Sequence, residues 1–103
     1  MRFSAALIAA LATLGPIAAS AEPAPDKLVP LVRQDCGSCH GLTLKGGLGP
    51  ALLPQNLSGR DENAVAEIIL GGVPGTPMPP WRGLLSEQDA HWIARQLKEG
   101  FPQ

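Results

Sequence analysis

Apolar positions crowd the start of the chain and then become periodic. Ala5 to Leu14 is an uncharged apolar run preceded by Arg2, broken at Gly15-Pro16 and followed by Ala19-Ser20-Ala21. A positive start, an apolar middle and a small-x-small close form the pattern of a cleaved export signal, here residues 1–21. The run is well short of the ~20 residues that span a bilayer, so stable membrane insertion is not expected. Residues 22–26 read as a flexible Pro/Ala-rich arm, and 27–103 as one small domain. Three stretches of that domain have helical spacing. Lys27 to Cys36 repeats apolar residues at Leu28, Leu31 and Val32, with Pro30 tolerable only in a first turn. A second helix follows Asn56–Arg60, where Ser58 and Asp61 have capping-box spacing. It carries Val65, Ile68 and Ile69 on one side and stops at Gly71-Gly72. The last starts near Ser86, again with an acidic residue three positions on, and aligns Ala90, Ile93, Ala94, Leu97 and Phe101.

Two irregular stretches separate these helices. Gly41 to Gln55 contains Gly46-Gly47, Gly49-Pro50 and Pro54; Val73 to Arg82 contains Pro74, Pro77, Pro79 and Pro80. The first has no long periodic pattern, and the second, with its four prolines, cannot be an ordinary helix or central strand. No strand-like alternation of useful length and no internal repeat occurs. The pattern predicts an all-α domain with two long, structured loops.

Composition adds a shortage. Outside the expected signal the chain has two Trp, one Phe and no Tyr, with many Gly and Pro. A domain of this size and make-up has a thin core, which a bulky apolar cofactor would complete. The net charge is −1, and loss of Arg2 with the signal makes it one unit more negative. No basic run exists, so nothing points to nucleic acid.

Cys36-Gly37-Ser38-Cys39-His40 carries the chemistry. Two cysteines separated by two residues and followed at once by histidine form the attachment pattern of haem c, with His40 as proximal iron ligand. A thioredoxin-like site would need a βαβ pattern, which is absent. Zinc would normally need four ligands, and adjacent Cys39 and His40 fit one small tetrahedral ion poorly even with His91 as a fourth. A structural disulfide leaves His40 without a role. For the sixth iron position the candidates are Met78, the only methionine outside the expected signal, and His91, with an open iron as the third option. The prolines flanking Met78 favour a held loop, and a thioether raises a haem potential relative to stronger donors. Gly49 or Pro50 offers a backbone carbonyl to the second ring nitrogen of His40. Arg60, Arg82 and Lys45 are candidate partners for haem propionates. His91 reads as a half-exposed helix residue. Trp81 reads as packing near the haem edge or capping its loop, and Trp92 lies off the main apolar face.

These residues resemble class I cytochromes c across the whole domain: the Cys36–His40 motif after a short helix, Leu48-Gly49-Pro50-Ala51-Leu52, the Met78 loop and the terminal helix from Ser86. The resemblance implies crossed terminal helices, a third helix at one side, loops closed around one covalent haem, His40 and Met78 as axial ligands, and a Pro50 segment supporting His40. Segments 36–52 and 74–81 are similar to the small periplasmic cytochrome c55X group. That group is associated with cytochrome cd1 nitrite reductase in denitrification, as electron donor or as helper in making haem d1. The implied activity is single-electron transport in the periplasm, not catalysis. The implied partners are a respiratory cytochrome donor and the nitrite reductase. The alternatives are a redox helper in haem d1 biosynthesis or nitrite reductase maturation, and a haem-based ligand sensor or small haem enzyme with an open iron.

Overall fold

The computed structural model describes residues 2–13, 15 and 22–102. The expected cleavage point after Ala21 lies outside the described residues. Residues 2–13 have no regular structure and are exposed, including Phe3, Leu7, Ile8 and Leu11. Among the described residues there is no strand, and no helix is long and apolar enough to cross a membrane.

The first helical stretch is longer than the sequence predicts. α1 spans Pro25–Leu31, two residues earlier than expected, so Pro25 and Asp26 open the helix instead of ending an arm. Proline suits that first turn, because its missing N–H would have had no intrahelical acceptor. Pro30 is consequently inside the helix and removes the donor that would bind the Asp26 carbonyl. Just beyond it the chain widens into a π-helical turn, Val32–Cys36, with Gly37 N–H donating to the Val32 carbonyl. A narrow helix resumes as α2, Gly37–His40. One extra residue in a turn rotates everything after it by about 100°. The cysteine segment therefore need not face the way Leu28 and Val32 face, and those two are buried in the core.

α3, Pro54–Leu57, is a single turn opened by a proline, and it begins inside the stretch that the sequence predicts as loop. α4 spans Glu62–Gly71 and is capped by Asp61, whose carboxylate accepts from Ala64 N–H at 2.7 Å. Ser58, the expected cap, instead donates to Gln55 O at 3.2 Å, closing α3. α5 spans Glu87–Glu99 with the full reciprocal capping box of Ser86 and Asp89.

The core joins all of these. Leu28 and Val32, Leu44 from the first loop, Leu57, then Val65, Ala66, Ile69 and Leu70 of α4 meet Leu85 and Ala90, Ile93, Ala94 and Leu97 of α5. α4 and α5 form the most extensive helix pair. Lys98 Nζ crosses from α5 to the carbonyls of Leu57, at 3.1 Å, and Arg60, tying down the otherwise open end of α3. Phe101 closes the C-terminal side and stacks edge-to-face on Trp92, with ring centroids 6.3 Å apart.

Candidate haem site

Helical geometry gathers the motif. Positions 36, 39 and 40 are three and four residues apart around one turn, so Cys36, Cys39 and His40 share one face, within an arc of about 100°. The two cysteines are free thiols and half-buried. Burial, with a smaller contribution from the Asp35 charge, pushes the Cys36 thiol up to about 11. It is therefore a neutral thiol at pH 7. Ser38 donates to Asp35 O at 2.7 Å and helps hold the turn.

α2 ends at Gly41 and leaves carbonyls that need donors. The following loop provides them. Gly46 N–H binds His40 O at 2.8 Å, and Gly49 N–H binds Cys39 O at 2.7 Å. Gly41, with φ +91°, makes the reversal, and a Cβ there would lie 2.6 Å from Gly46 O. Leu44 adopts φ +60°, unusual for a branched side chain, and is 98% buried, with its carbonyl accepting from Leu52 N–H at 2.9 Å. Core burial of Leu44 holds that backbone in place against its strain.

This folding-back carries Pro50 to the histidine. His40 Nδ1 lies 2.7 Å from Pro50 O. A carbonyl can only accept, so Nδ1 carries the proton and Nε2 presents its lone pair. Gly49 lies close against the ring: a Cβ there would be 2.8 Å from Cε1 and 2.9 Å from Nδ1. Of the two carbonyls the sequence offered, Pro50 makes the bond and Gly49 makes room for it.

Met78 sits on different scaffolding, at the end of α4. Gly72, with φ +66°, turns the chain so closely that a Cβ would meet Pro79 C and Pro80 N at 2.7 Å and Met78 O at 2.8 Å. Val73 N–H donates to Met78 O at 3.2 Å. Trp81 N–H reaches the Ile69 and Leu70 carbonyls, and Arg82 N–H also reaches Leu70, so the chain after Met78 caps α4. Trp81 is thus a cap of the loop packed half-buried against the core. Met78 itself is half-buried.

Other candidates lie elsewhere. His91 is one-third exposed and its Nδ1 is 3.3 Å from Glu62 Oε2, which also faces Arg95. Arg82 lies 3.5 Å from Glu67 and 3.7 Å from Glu87, so its nearest anionic partners are these two carboxylates. The roles of Gly72 and Leu44 were not read from the sequence. The doubled glycine was visible only as a helix stop, and nothing local marks a leucine as left-handed.

The donor set fits a haem: two thiols and an imidazole on one helical face, the imidazole locked in the tautomer that offers Nε2, and a thioether on a separately anchored loop. Comparisons with known proteins agree. A family described as cytochrome c oxidase, cbb3-type, subunit III, matches residues 23–95. Cytochrome c55X of Pseudomonas aeruginosa is 50% identical over 99 residues, covering 91% of this chain and 83% of the relative. The chain belongs to the cytochrome c55X family of class I c-type cytochromes. The solved structure of the c-type cytochrome NirC resembles this cytochrome with a TM-score of 0.72 and 54% identity, over 74% of this chain and 89% of that one. The likeness extends the observed all-helical architecture to the small class I cytochrome c fold. The dihydro-heme d1 dehydrogenase of P. aeruginosa is 38% identical over 73 residues, 71% of this cytochrome but only 15% of the dehydrogenase. The two cysteines of this cytochrome form a haem c attachment sequence of the CxxCH type.

Proposed function

We propose that this cytochrome holds one haem c through thioethers from Cys36 and Cys39, uses His40 and Met78 as axial ligands, and carries single electrons in the periplasm during denitrification, delivering them to cytochrome cd1 nitrite reductase. The observation that carries the reading is the His40 arrangement: a ring on the cysteine face, with Nδ1–H bound to Pro50 O and Nε2 left as donor. The haem supplies a one-electron ferric/ferrous couple. The chain's own residues do the rest. Pro50 fixes the tautomer and direction of His40 and raises its basicity. The Met78 loop offers a soft neutral donor, which favours the reduced state. Two sulfur attachments keep the group in a domain too small to enclose it.

Export rests on the apolar run after Arg2 and cleavage after Ala21, leaving an arm and a single cytochrome domain. The pathway rests on similarity to the c55X cytochromes and NirC. Electron-transfer encounters of this kind need small, weak interfaces so that partners separate quickly. A respiratory cytochrome upstream is the matching donor.

A second reading has its own support, the match to dihydro-heme d1 dehydrogenase, and makes the protein a redox helper in haem d1 synthesis. One experiment separates them. The exported, reduced holoprotein is first checked for a six-coordinate His/Met spectrum, then mixed with assembled cd1 nitrite reductase. Fast oxidation of the cytochrome supports the carrier. No transfer, together with loss of haem d1 on deletion of this chain, supports the helper. A five-coordinate spectrum would return the protein to the ligand-sensing alternative.

A further inference from the structure

The loop that presents Met78 is closed by its own hydrogen bonds. Val73, Pro74, Gly75 and Thr76 form a type II turn: proline stands second, Gly75 third with φ +79°, and Thr76 N–H donates to Val73 O at 3.1 Å. The Thr76 hydroxyl then does two things at once. It donates to the same Val73 carbonyl at 2.8 Å and accepts the Met78 N–H at 3.3 Å. On the other side Val73 N–H donates to Met78 O. Both backbone polar groups of Met78 are therefore held within a six-residue ring. Pro77 between them has a fixed φ and no N–H of its own.

From this geometry we infer that Thr76 is a positioning residue for Met78: its hydroxyl sets the direction in which the thioether is presented and so the ease with which another ligand displaces it. The inference rests on the reading of Met78 as axial ligand. The asymmetry of the bonds makes the hydroxyl specific to Met78. Val73 O keeps the Thr76 N–H when the hydroxyl is lost, whereas the Met78 N–H loses the partner the loop provides. Thr76 is exposed, so its removal opens no core cavity. The expected consequence is local: a looser methionine in a domain whose helices and core are unaltered.

The test uses the ferric holoprotein with imidazole as competing ligand, in wild type, Thr76→Val, Thr76→Ser and Met78→Ala. Valine keeps the shape of threonine without the hydroxyl; serine keeps the hydroxyl. Loss of one hydrogen bond corresponds to about a fivefold change in equilibrium. Thr76→Val should bind imidazole about fivefold more tightly and weaken the iron–sulfur charge-transfer band, with an unchanged far-UV circular dichroism spectrum. Thr76→Ser should restore wild-type behaviour. Met78→Ala should lose the band altogether and bind imidazole most tightly. If Met78→Ala tightens binding and Thr76→Val does not, the positioning role is wrong and the ligand assignment stands. If Met78→Ala keeps the band, the ligand assignment itself falls, and the role of Thr76 with it. A Thr76→Val effect that serine does not reverse would mean that the hydroxyl is not the cause.

Discussion

Gly49 carries no side chain into the space that the His40 ring fills. Three ring atoms lie within 3.3 Å of where its Cβ would be, and the ring cannot swing aside without stretching the 2.7 Å bond to Pro50 O. The backbone of Gly49 is not in the left-handed region, so alanine would suffer from crowding alone. Gly49→Ala should therefore destabilise the holoprotein by about 1–3 kcal/mol, the usual range for overpacking at a tight contact. Guanidinium melts of the ferric form measure this, and an unaltered midpoint would mean that the loop yields instead of the ring. Part of this site was legible one residue at a time. Cys36, Cys39 and His40 declare themselves by spacing, and Gly49-Pro50 by being a rigid turn soon after. What spacing could not convey is which carbonyl binds, because that depends on the path of a loop fixed by Cys39 O, His40 O and the buried Leu44.

At the scale of elements, each cluster is tied to one helix end. The His40 side is assembled on the C-terminus of α2, where loop amides satisfy free carbonyls; the Met78 side is assembled on the C-terminus of α4 in the same way. Gly72 makes the second possible. A Cβ there would meet backbone atoms of Met78, Pro79 and Pro80, which cannot rotate away, and its φ of +66° is strained for any L side chain. Gly72→Ala should cost about 3 kcal/mol from strain and crowding together. It should also weaken the iron–sulfur band while far-UV circular dichroism retains the helices. Retention of both band and stability would show that the close approach is dispensable. The helices themselves were legible where caps and periodicity agree: α5 begins after Ser86 and buries Ala90, Ile93, Ala94 and Leu97 as its spacing predicts. Helix starts are less legible at proline, which opens a first turn as readily as it ends a helix. Pro25 and Pro54 begin helices, and Pro30 is accommodated just before the widening to a π turn.

Across the whole molecule, α4 packed on α5 is the most extensive helix pair, and it anchors the helix end from which the Met78 loop leaves. Core burial supplies most of that packing, but one polar contact pins the start of α4. Glu62 accepts from Arg95 Nε at 2.7 Å and pairs with His91 at 3.3 Å, both across from α5. The hydrogen bond from Arg95 is the main cause holding the Glu62 carboxyl below its ordinary value of 4.5; partial desolvation opposes it, and the His91 hydrogen bond and the charges of both partners reinforce it. A carboxyl with a depressed folded-state value favours the fold when ionised. Its contribution is present above about pH 4.5, where the unfolded chain is also ionised, and is lost as pH falls through the lower folded value. The direction follows because between the lower folded value and 4.5 the unfolded chain holds a proton that the folded chain does not. The melting temperature of the holoprotein should thus decline on acidification below pH 4.5, and Glu62→Gln, which cannot ionise, should decline less steeply over the same interval. Parallel melting curves for the two proteins would show that Glu62 does not link the helices energetically. Added salt should diminish the wild-type effect, since the pair is partly open to solvent.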